Sequence, residues 1–188
     1  MEKARRKSNG RRTRSAGRQA RPAARSNRQD AIAVLKADHR QVEGWFKQFC
    51  NTDSKQRKET LAGKICDALR IHATIEEEIF YPAFLEATDE EDIHHEAQVE
   101  HNGAKKLIAE IEDSGSDDEY YDAKVTVLFE MIKHHVKEEE KPGGMFAKAR
   151  RSEMDLQGVG ARLRARKKEL AGGESRWERV ADLMQPRI

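Results

Sequence analysis

The chain has few cysteines and no long apolar run, and each shortage excludes a class of protein. Its 188 residues include two cysteines, Cys50 and Cys66, which is too few for the disulfide framework of a small secreted domain. We expect both thiols to be buried and reduced, as in a cytoplasmic protein. No apolar stretch approaches the roughly 18 residues that a membrane-spanning helix needs, so the sequence predicts no membrane span.

The net charge of +2 is the sum of three unlike segments. Residues 1–30 carry 11 Lys/Arg against 2 Asp/Glu, residues 31–140 carry 13 against 26, and residues 141–188 carry 12 against 6. Residues 1–29 contain no Leu, Ile, Val or Phe, so we expect a basic disordered tail there and no secretory signal. That tail could contact nucleic acid through its charge, although no aromatic residues stand between the arginines to stack on bases. A purely solubilising tail is the alternative.

Apolar residues recur at steps of three and four in four successive stretches, which predicts amphipathic helices. Polar or Pro/Gly-containing breaks separate the stretches, and no segment alternates with a period of two. Four helices of about 20 residues with short connections are typical of an antiparallel up-down-up-down four-helix bundle, which we expect over residues 30–145. Pro82 should end or kink the second helix, because proline lacks an amide donor. The sequence also predicts an additional C-terminal helix within residues 146–172, near 152–170, followed by a tail at 173–188.

Histidine and glutamate stand in the apolar stripes at positions that repeat between the two halves of the chain. The first and third helices each carry one histidine, His39 and His101. The second and fourth each carry a His-x-x-x-Glu pair, and residues four apart share a helix face. Ionisable groups in an apolar seam need partners. The sequence therefore predicts a metal site built from six residues: His39, His72, Glu76, His101, His135 and Glu139.

The donor set suits iron, manganese or zinc, since imidazole and carboxylate are present without thiolate. Two carboxylates that each bridge two ions would give a dinuclear centre with an open coordination position, as in other helical bundles. His94 lies two turns before His101 on the same stripe, about 10.5 Å along the axis, and is the candidate for an extra ligand. We expect the flanking acids to form solvated faces or salt bridges, with contact to the ligands as the alternative: Glu77, Glu78, Glu138 and Glu140. Tyr81 and Tyr121 are predicted to be packing residues, with contact to the site as the alternative.

Four strings, KADHRQV, IHATIEEEIFYP, VEHNGAKKLI and IKHHVKEEEKP, resemble the haemerythrin-like (HHE cation-binding) domain. This resemblance covers about residues 30–145 and implies a bundle that holds a non-haem di-iron centre, with the four histidines as terminal ligands and Glu76 and Glu139 as bridges. The oxygen-carrying members have a fifth histidine four residues from the equivalent of His101, where this chain has Ala97 and Lys105. The residues that follow also resemble bacterial members.

The resemblance implies a cytoplasmic bacterial protein whose two iron ions bind or sense oxygen, peroxide or nitric oxide, or hold iron. Two alternatives remain open. One is a di-iron enzyme that acts on peroxide or nitric oxide, favoured by the missing fifth histidine. The other is a nucleic-acid-associated protein that uses residues 1–29 as a basic arm. The oligomeric state is open.

Overall fold

The computed structural model describes residues 29–172, so the tails predicted at 1–29 and 173–188 lie outside the described residues, apart from Gln29. This part of the chain contains no strand, and the prediction of an all-α protein is confirmed. None of its helices is both long and apolar enough to cross a membrane. The helices are α1 (Ala31–Cys50), α2 (Lys55–Ile75), α3 (Tyr81–Thr88), α4 (Glu91–Asp113), α5 (Tyr121–Glu140), α6 (Met145–Arg151) and α7 (Leu156–Ala171).

Short polar side chains begin three of these helices. The Asp30 carboxylate accepts from the amide of Ala33 at 2.8 Å at the start of α1, and Ser54 caps α2. Asp155 accepts from the amide of Gly158 at 2.9 Å at the start of α7. Such caps satisfy amides that have no partner in the first helical turn.

The second predicted helix passes through a wide π turn, Glu76–Phe80, before it continues as α3. Pro82 lies in the first turn of α3, where a missing amide is tolerated. Its ring crowds the preceding turn, and that turn is widened so that the amide of Tyr81 donates to the carbonyl of Glu76, five residues back. Pro82 therefore neither ends the helix nor simply kinks it.

The C-terminal part contains one helix that the sequence patterns did not predict. After the turn at Pro142, Gly143 has φ +80, which favours glycine, and α6 then buries Met145 and Phe146. The predicted C-terminal helix corresponds to α7, which begins after Asp155.

The core consists of two apolar clusters that lie on either side of a polar layer. One joins the start of α1 to the end of α2, the π turn, α3, α6 and α7. The other joins the far ends of α1 and α2 to α4 and α5. Cys66 is buried in the second cluster, where burial raises its pKa to about 12. The expectation that both cysteines are buried was wrong for Cys50, which is exposed in the last turn of α1.

Candidate metal centre

The polar layer between the two apolar clusters contains all six residues that the sequence singled out. We call these six the central cluster. Their relative exposure ranges from 0 to 6%: His39 on α1, His72 on α2, Glu76 in the π turn, His101 on α4, and His135 and Glu139 on α5. Charged and imidazole groups at this depth need partners.

The central cluster consists of two histidine pairs, and a carboxylate lies between members of different pairs. The Nε2 atoms of His39 and His72 are 3.0 Å apart, and those of His101 and His135 are 3.2 Å apart. Glu76 Oε2 is 3.2 Å from His72 Nε2 and 3.4 Å from His101 Nε2.

Glu139 occupies the equivalent place on the other side. Its Oε2 is 3.4 Å from His39 Nε2, and its Oε1 is 3.7 Å from His135 Nε2. The donor atoms form two overlapping groups, each within 4.8 Å and able to hold a metal ion: His39, His72, Glu76 and Glu139; and Glu76, His101 and His135.

The central cluster has acceptors in excess of donors. Both carboxylate oxygens of Glu76 and of Glu139 are buried without a hydrogen-bond partner among the described residues. Burial, and then the neighbouring Glu76 carboxylate, raises the pKa of Glu139 well above its ordinary value. Burial also lowers the pKa of His39 to about 4, so this imidazole is uncharged at neutral pH. Unpartnered buried carboxylates beside imidazole groups fit a cation.

A second layer of four carboxylates, which we call the outer carboxylates, lies against the Nδ1 atoms of the histidines. Glu140 is 2.9 Å from His39 Nδ1, Glu77 is 3.0 Å from His101 Nδ1, and Glu100 is 2.7 Å from His135 Nδ1. The fourth, Asp38, is 3.6 Å from His72 Nδ1.

Three of these contacts are short enough to be hydrogen bonds, and a carboxylate can only accept, so Nδ1 carries the proton. In the neutral imidazole, Nε2 then keeps its lone pair. The Nε2 atoms of His101 and His135 consequently face each other with lone pairs unless a cation or a proton lies between them. Burial lowers the pKa of His101, but Glu76 and Glu77 outweigh it and the pKa is raised, which shows that this position favours positive charge.

Each outer carboxylate stands next in sequence to a member of the central cluster and contacts a histidine from a different segment. Asp38 precedes His39 and Glu100 precedes His101, whereas Glu77 follows Glu76 and Glu140 follows Glu139. The contacts run in a closed circuit from α1 to α2, from the π turn to α4, from α4 to α5, and from α5 to α1. Glu77 and Glu140 form salt bridges to lysines, as expected, and they also contact histidines, which was the lesser alternative. The roles of Asp38 and Glu100 were missed. Their adjacency to cluster residues was the available signal.

Tyr81 packs in the first apolar cluster, as expected, and it also reaches the central cluster, which was the lesser alternative. Its buried hydroxyl is 3.3 Å from His101 Nε2. In a regular α-helix, residues five apart lie about 140° apart around the axis, on different faces. The π turn brings Glu76 and Tyr81 to the same histidine. Because it locally changes the number of residues per helical turn, the regular 3.6-residue pattern did not predict this contact.

A small cavity adjoins the histidines. It has a volume of about 30 Å³ and is lined by all four histidines together with Val42, Leu69, Ala104, Ile108, Ile132 and Val136, among others. Lys105, one turn beyond His101, also lines it and binds Glu77 at 2.6 Å. This space is large enough for a molecule the size of water.

The structure does not bring His94 to the central cluster. Its ring packs edge-on against Tyr81, with ring centroids 5.5 Å apart, and it belongs to neither metal-capable group of the described residues. His134 is exposed and lies 3.4 Å from Glu100. Glu78 and Glu138 form ion pairs with Arg166 and Lys141, as expected for flanking acids.

Comparison with known proteins gives the same picture at the level of family and fold. A search of curated proteins finds no match. A crystal structure of a hemerythrin HHE cation binding domain-containing protein from Mycobacterium kansasii is similar, with a TM-score of 0.63 and 22% identity over 77% of this chain and 88% of that one. The family model described as "Hemerythrin HHE cation binding domain" matches residues 30–143. Since this match spans more than half of the chain, the protein belongs to the hemerythrin HHE cation-binding family.

Proposed function

We propose that the protein binds two non-haem iron ions in the central cluster and uses them to bind or sense oxygen, peroxide or nitric oxide, or to hold iron. One observation carries the proposal: each of two buried, unpartnered carboxylates lies between a histidine of one pair and a histidine of the other. Carboxylates in that position suit two cations better than one, because each lies within 3.7 Å of a histidine from both pairs.

The ligands in this proposal are the six residues of the central cluster. Glu76 and Glu139 would be shared, His39 and His72 would serve one ion, and His101 and His135 the other. Manganese and zinc accept the same donors, so the metal has to be measured. Bound iron would supply redox chemistry and an affinity for small oxygen and nitrogen ligands. The outer carboxylates orient the imidazoles, as such partners commonly do.

We further propose that α1, α2, α4 and α5 form an antiparallel up-down-up-down bundle over residues 30–145, with α7 as an additional helix in a C-terminal extension, residues 146–172. The contacts support this arrangement, because α1 packs on α2 and α5, and α4 packs on α2 and α5. Each of these helices contributes a histidine to the central cluster, and the contacts of the outer carboxylates link neighbouring segments in a closed circuit.

The small ligand would enter the cavity beside the four histidines. Its aliphatic lining favours a small, weakly hydrated molecule over a bulky or polar one. The apolar clusters on both sides restrict water at the central cluster.

Metal analysis with optical spectroscopy tests the proposal. The purified protein is loaded with ferrous iron under argon, desalted and analysed for bound iron, and its near-ultraviolet and visible spectrum is taken before and after admission of air. We expect two iron ions per chain and a spectral change with air. Glu139→Gln should lose iron, and Glu138→Gln, at the partly exposed neighbouring position, should not. Colourless wild-type protein with less than one iron per chain would refute the proposal.

Catalysis on peroxide or nitric oxide is a second candidate, and the inequality of the two donor groups favours it. One group has four protein donors and the other has three, which leaves more room for a substrate at the second. Steady-state turnover of hydrogen peroxide or nitric oxide by the wild type, lost in Glu76→Ala and Glu139→Ala, would support catalysis. Ligand binding without turnover would support sensing or carriage.

Nucleic acid binding is a third candidate, favoured by the place where the basic segment joins the fold. The carboxylate of Asp30 pairs with Arg150 at 3.2 Å, and the carbonyl of Gln29 accepts from Arg164. The basic N-terminal segment therefore joins the fold beside the basic C-terminal extension. Salt-dependent DNA binding that disappears on deletion of residues 1–29 would support this role, and binding that survives the deletion would contradict it for the tail.

A further inference from the structure

A lysine of α7 reaches one of the outer carboxylates. The ammonium of Lys167 binds Asp38 Oδ1, while Asp38 Oδ2 faces His72 Nδ1 at 3.6 Å. Asp38 is buried. Lys167 lies beyond the residues that the family model matches, 30–143, so a segment outside the matched domain contacts the metal centre.

The position of Lys167 is set by close packing of α7. Leu163 is fully buried in the first apolar cluster. A methyl group added at Gly160 would lie 2.7 Å from the amide nitrogen of Ala31, so α7 touches the backbone at the start of α1. Arg166 lies about one turn after Leu163 and binds both carboxylate oxygens of Glu78, at 2.7 and 3.1 Å. These contacts leave α7 little freedom to move relative to α1 and the π turn.

Asp38 differs from the other outer carboxylates in its reach. In the other half of the chain the equivalent position is Glu100, which has one more methylene group and contacts His135 Nδ1 at 2.7 Å. Asp38 Oδ2 is 3.6 Å from His72 Nδ1, which is a longer distance, and this nitrogen is buried without a hydrogen-bond partner among the described residues. The orientation of Asp38 toward His72 therefore depends on what holds its other oxygen, and Lys167 holds it.

We propose that Lys167 is a positioning residue of the metal centre, which acts through Asp38 on His72 and makes α7 a functional part of the site. This inference rests on the proposed metal function. Lys167 holds Asp38 in the orientation that faces His72 Nδ1. The imidazole then presents Nε2 to the central cluster with the same orientation as the other three histidines.

The sign of the expected effect separates positioning from simple electrostatics. Removal of a positive charge near a cation site should by itself favour cation binding. Positioning predicts the opposite. Loss of a residue that orients a metal ligand commonly lowers metal affinity about 10- to 100-fold, and Lys167 acts one step further out, so we expect a loss of about tenfold in one of the two binding steps.

The experiment compares three lysine variants by competition with a chromophoric zinc chelator under argon. Lys167→Met should weaken one binding step about tenfold. Lys167→Arg keeps the charge and the contact with the carboxylate and should restore the affinity. Lys168→Met removes the same charge from the exposed adjacent position and should show no loss. Melting of the metal-free variants checks that they fold.

A double-mutant cycle with Asp38→Asn completes the test. If Lys167 acts through Asp38, Lys167→Met should cause no further loss in the Asp38→Asn protein. Wild-type affinity in Lys167→Met, or an equal loss with and without Asp38, would overturn the inference. Failure of the wild type itself to bind two metal ions would instead refute the proposed function.

Discussion

Replacement of Glu139 by methionine should stabilise the metal-free protein and remove its response to metal. Both carboxylate oxygens of Glu139 are buried without a hydrogen-bond partner among the described residues, and the side chain is 2% exposed. Leaving a buried polar group unpaired costs about 1–3 kcal/mol. Methionine has a similar volume and no group that must be paired, so the folded metal-free state should gain about that much.

The effect is large enough to measure by thermal unfolding. For a protein of this size, 1 kcal/mol shifts the melting temperature by about 2–4 °C, so metal-free Glu139→Met should melt several degrees above metal-free wild type. With metal added, wild type should have the higher melting temperature of the two proteins. A ligand at 100 times its dissociation constant adds about 2.7 kcal/mol to the stability of the protein that binds it, and wild type should gain this in full.

Glu138→Met is the matched control, because it removes the same charge from the adjacent residue. Glu138 pairs with Lys141 outside the central cluster, so this variant should melt like the wild type with and without metal. Two results would refute the reasoning. One is a metal-free Glu139→Met protein that melts no higher than wild type, and the other is an equal metal-induced rise in both proteins.

Three further predictions concern packing, pH and the tyrosine. Gly160→Ala should destabilise the protein in urea unfolding, because the added methyl group would meet rigid backbone. This effect should outweigh the preference of helices for alanine over glycine, roughly 1 kcal/mol. Gly103→Ala is the control and should be tolerated, because its methyl group would meet only the flexible end of a methionine side chain, at 2.9 Å. Since burial lowers the pKa of His39 to about 4, the folded state resists protonation of His39 below the unfolded value of 6.5, and the contribution of this residue to metal-free stability should fall by up to about 3 kcal/mol as the pH decreases from 7 to 4. Denaturant titrations of wild type and His39→Phe measure that contribution as the difference between their pH profiles, and parallel profiles would contradict it. Tyr81→Phe should alter the visible spectrum of the iron-loaded protein, and Tyr121→Phe, which removes a buried hydroxyl in the other apolar cluster, should leave it unchanged.

The central cluster could be predicted from the sequence because its members obey regular helical periodicity. His39, His72, His101 and His135 each stand in an apolar stripe, and residues of one stripe share a face over the whole length of a helix. The two glutamates follow one turn after a histidine, within the range over which the regular helix is a good guide. For these positions the sequence pattern and the folded geometry agree.

Three features could not be predicted, each for a different physical reason. The π turn shifts the phase of the helix at Glu76, and this local change brings Tyr81 to the site. The outer carboxylates act between helices, so their contacts depend on side-chain length and on the distance between segments, neither of which periodicity records. Helix α6 has seven residues and follows a glycine pair, so it is too short to show a repeating stripe and is held by the burial of Met145 and Phe146.

The two halves of the chain supply the same residue types to the central cluster and differ around it, so the surroundings are one source of any difference between the two proposed metal positions. Each half contributes one histidine and one His-x-x-x-Glu pair to the central cluster. Around them, Asp38 stands where the other half has Glu100, and Asp38 binds Lys167 of α7 whereas Glu100 contacts His134. If the two metal ions differ in affinity or in access to small ligands, the cause therefore lies in the outer carboxylates, in Tyr81 beside one histidine pair and in α7, together with the unequal number of central donors in the two groups.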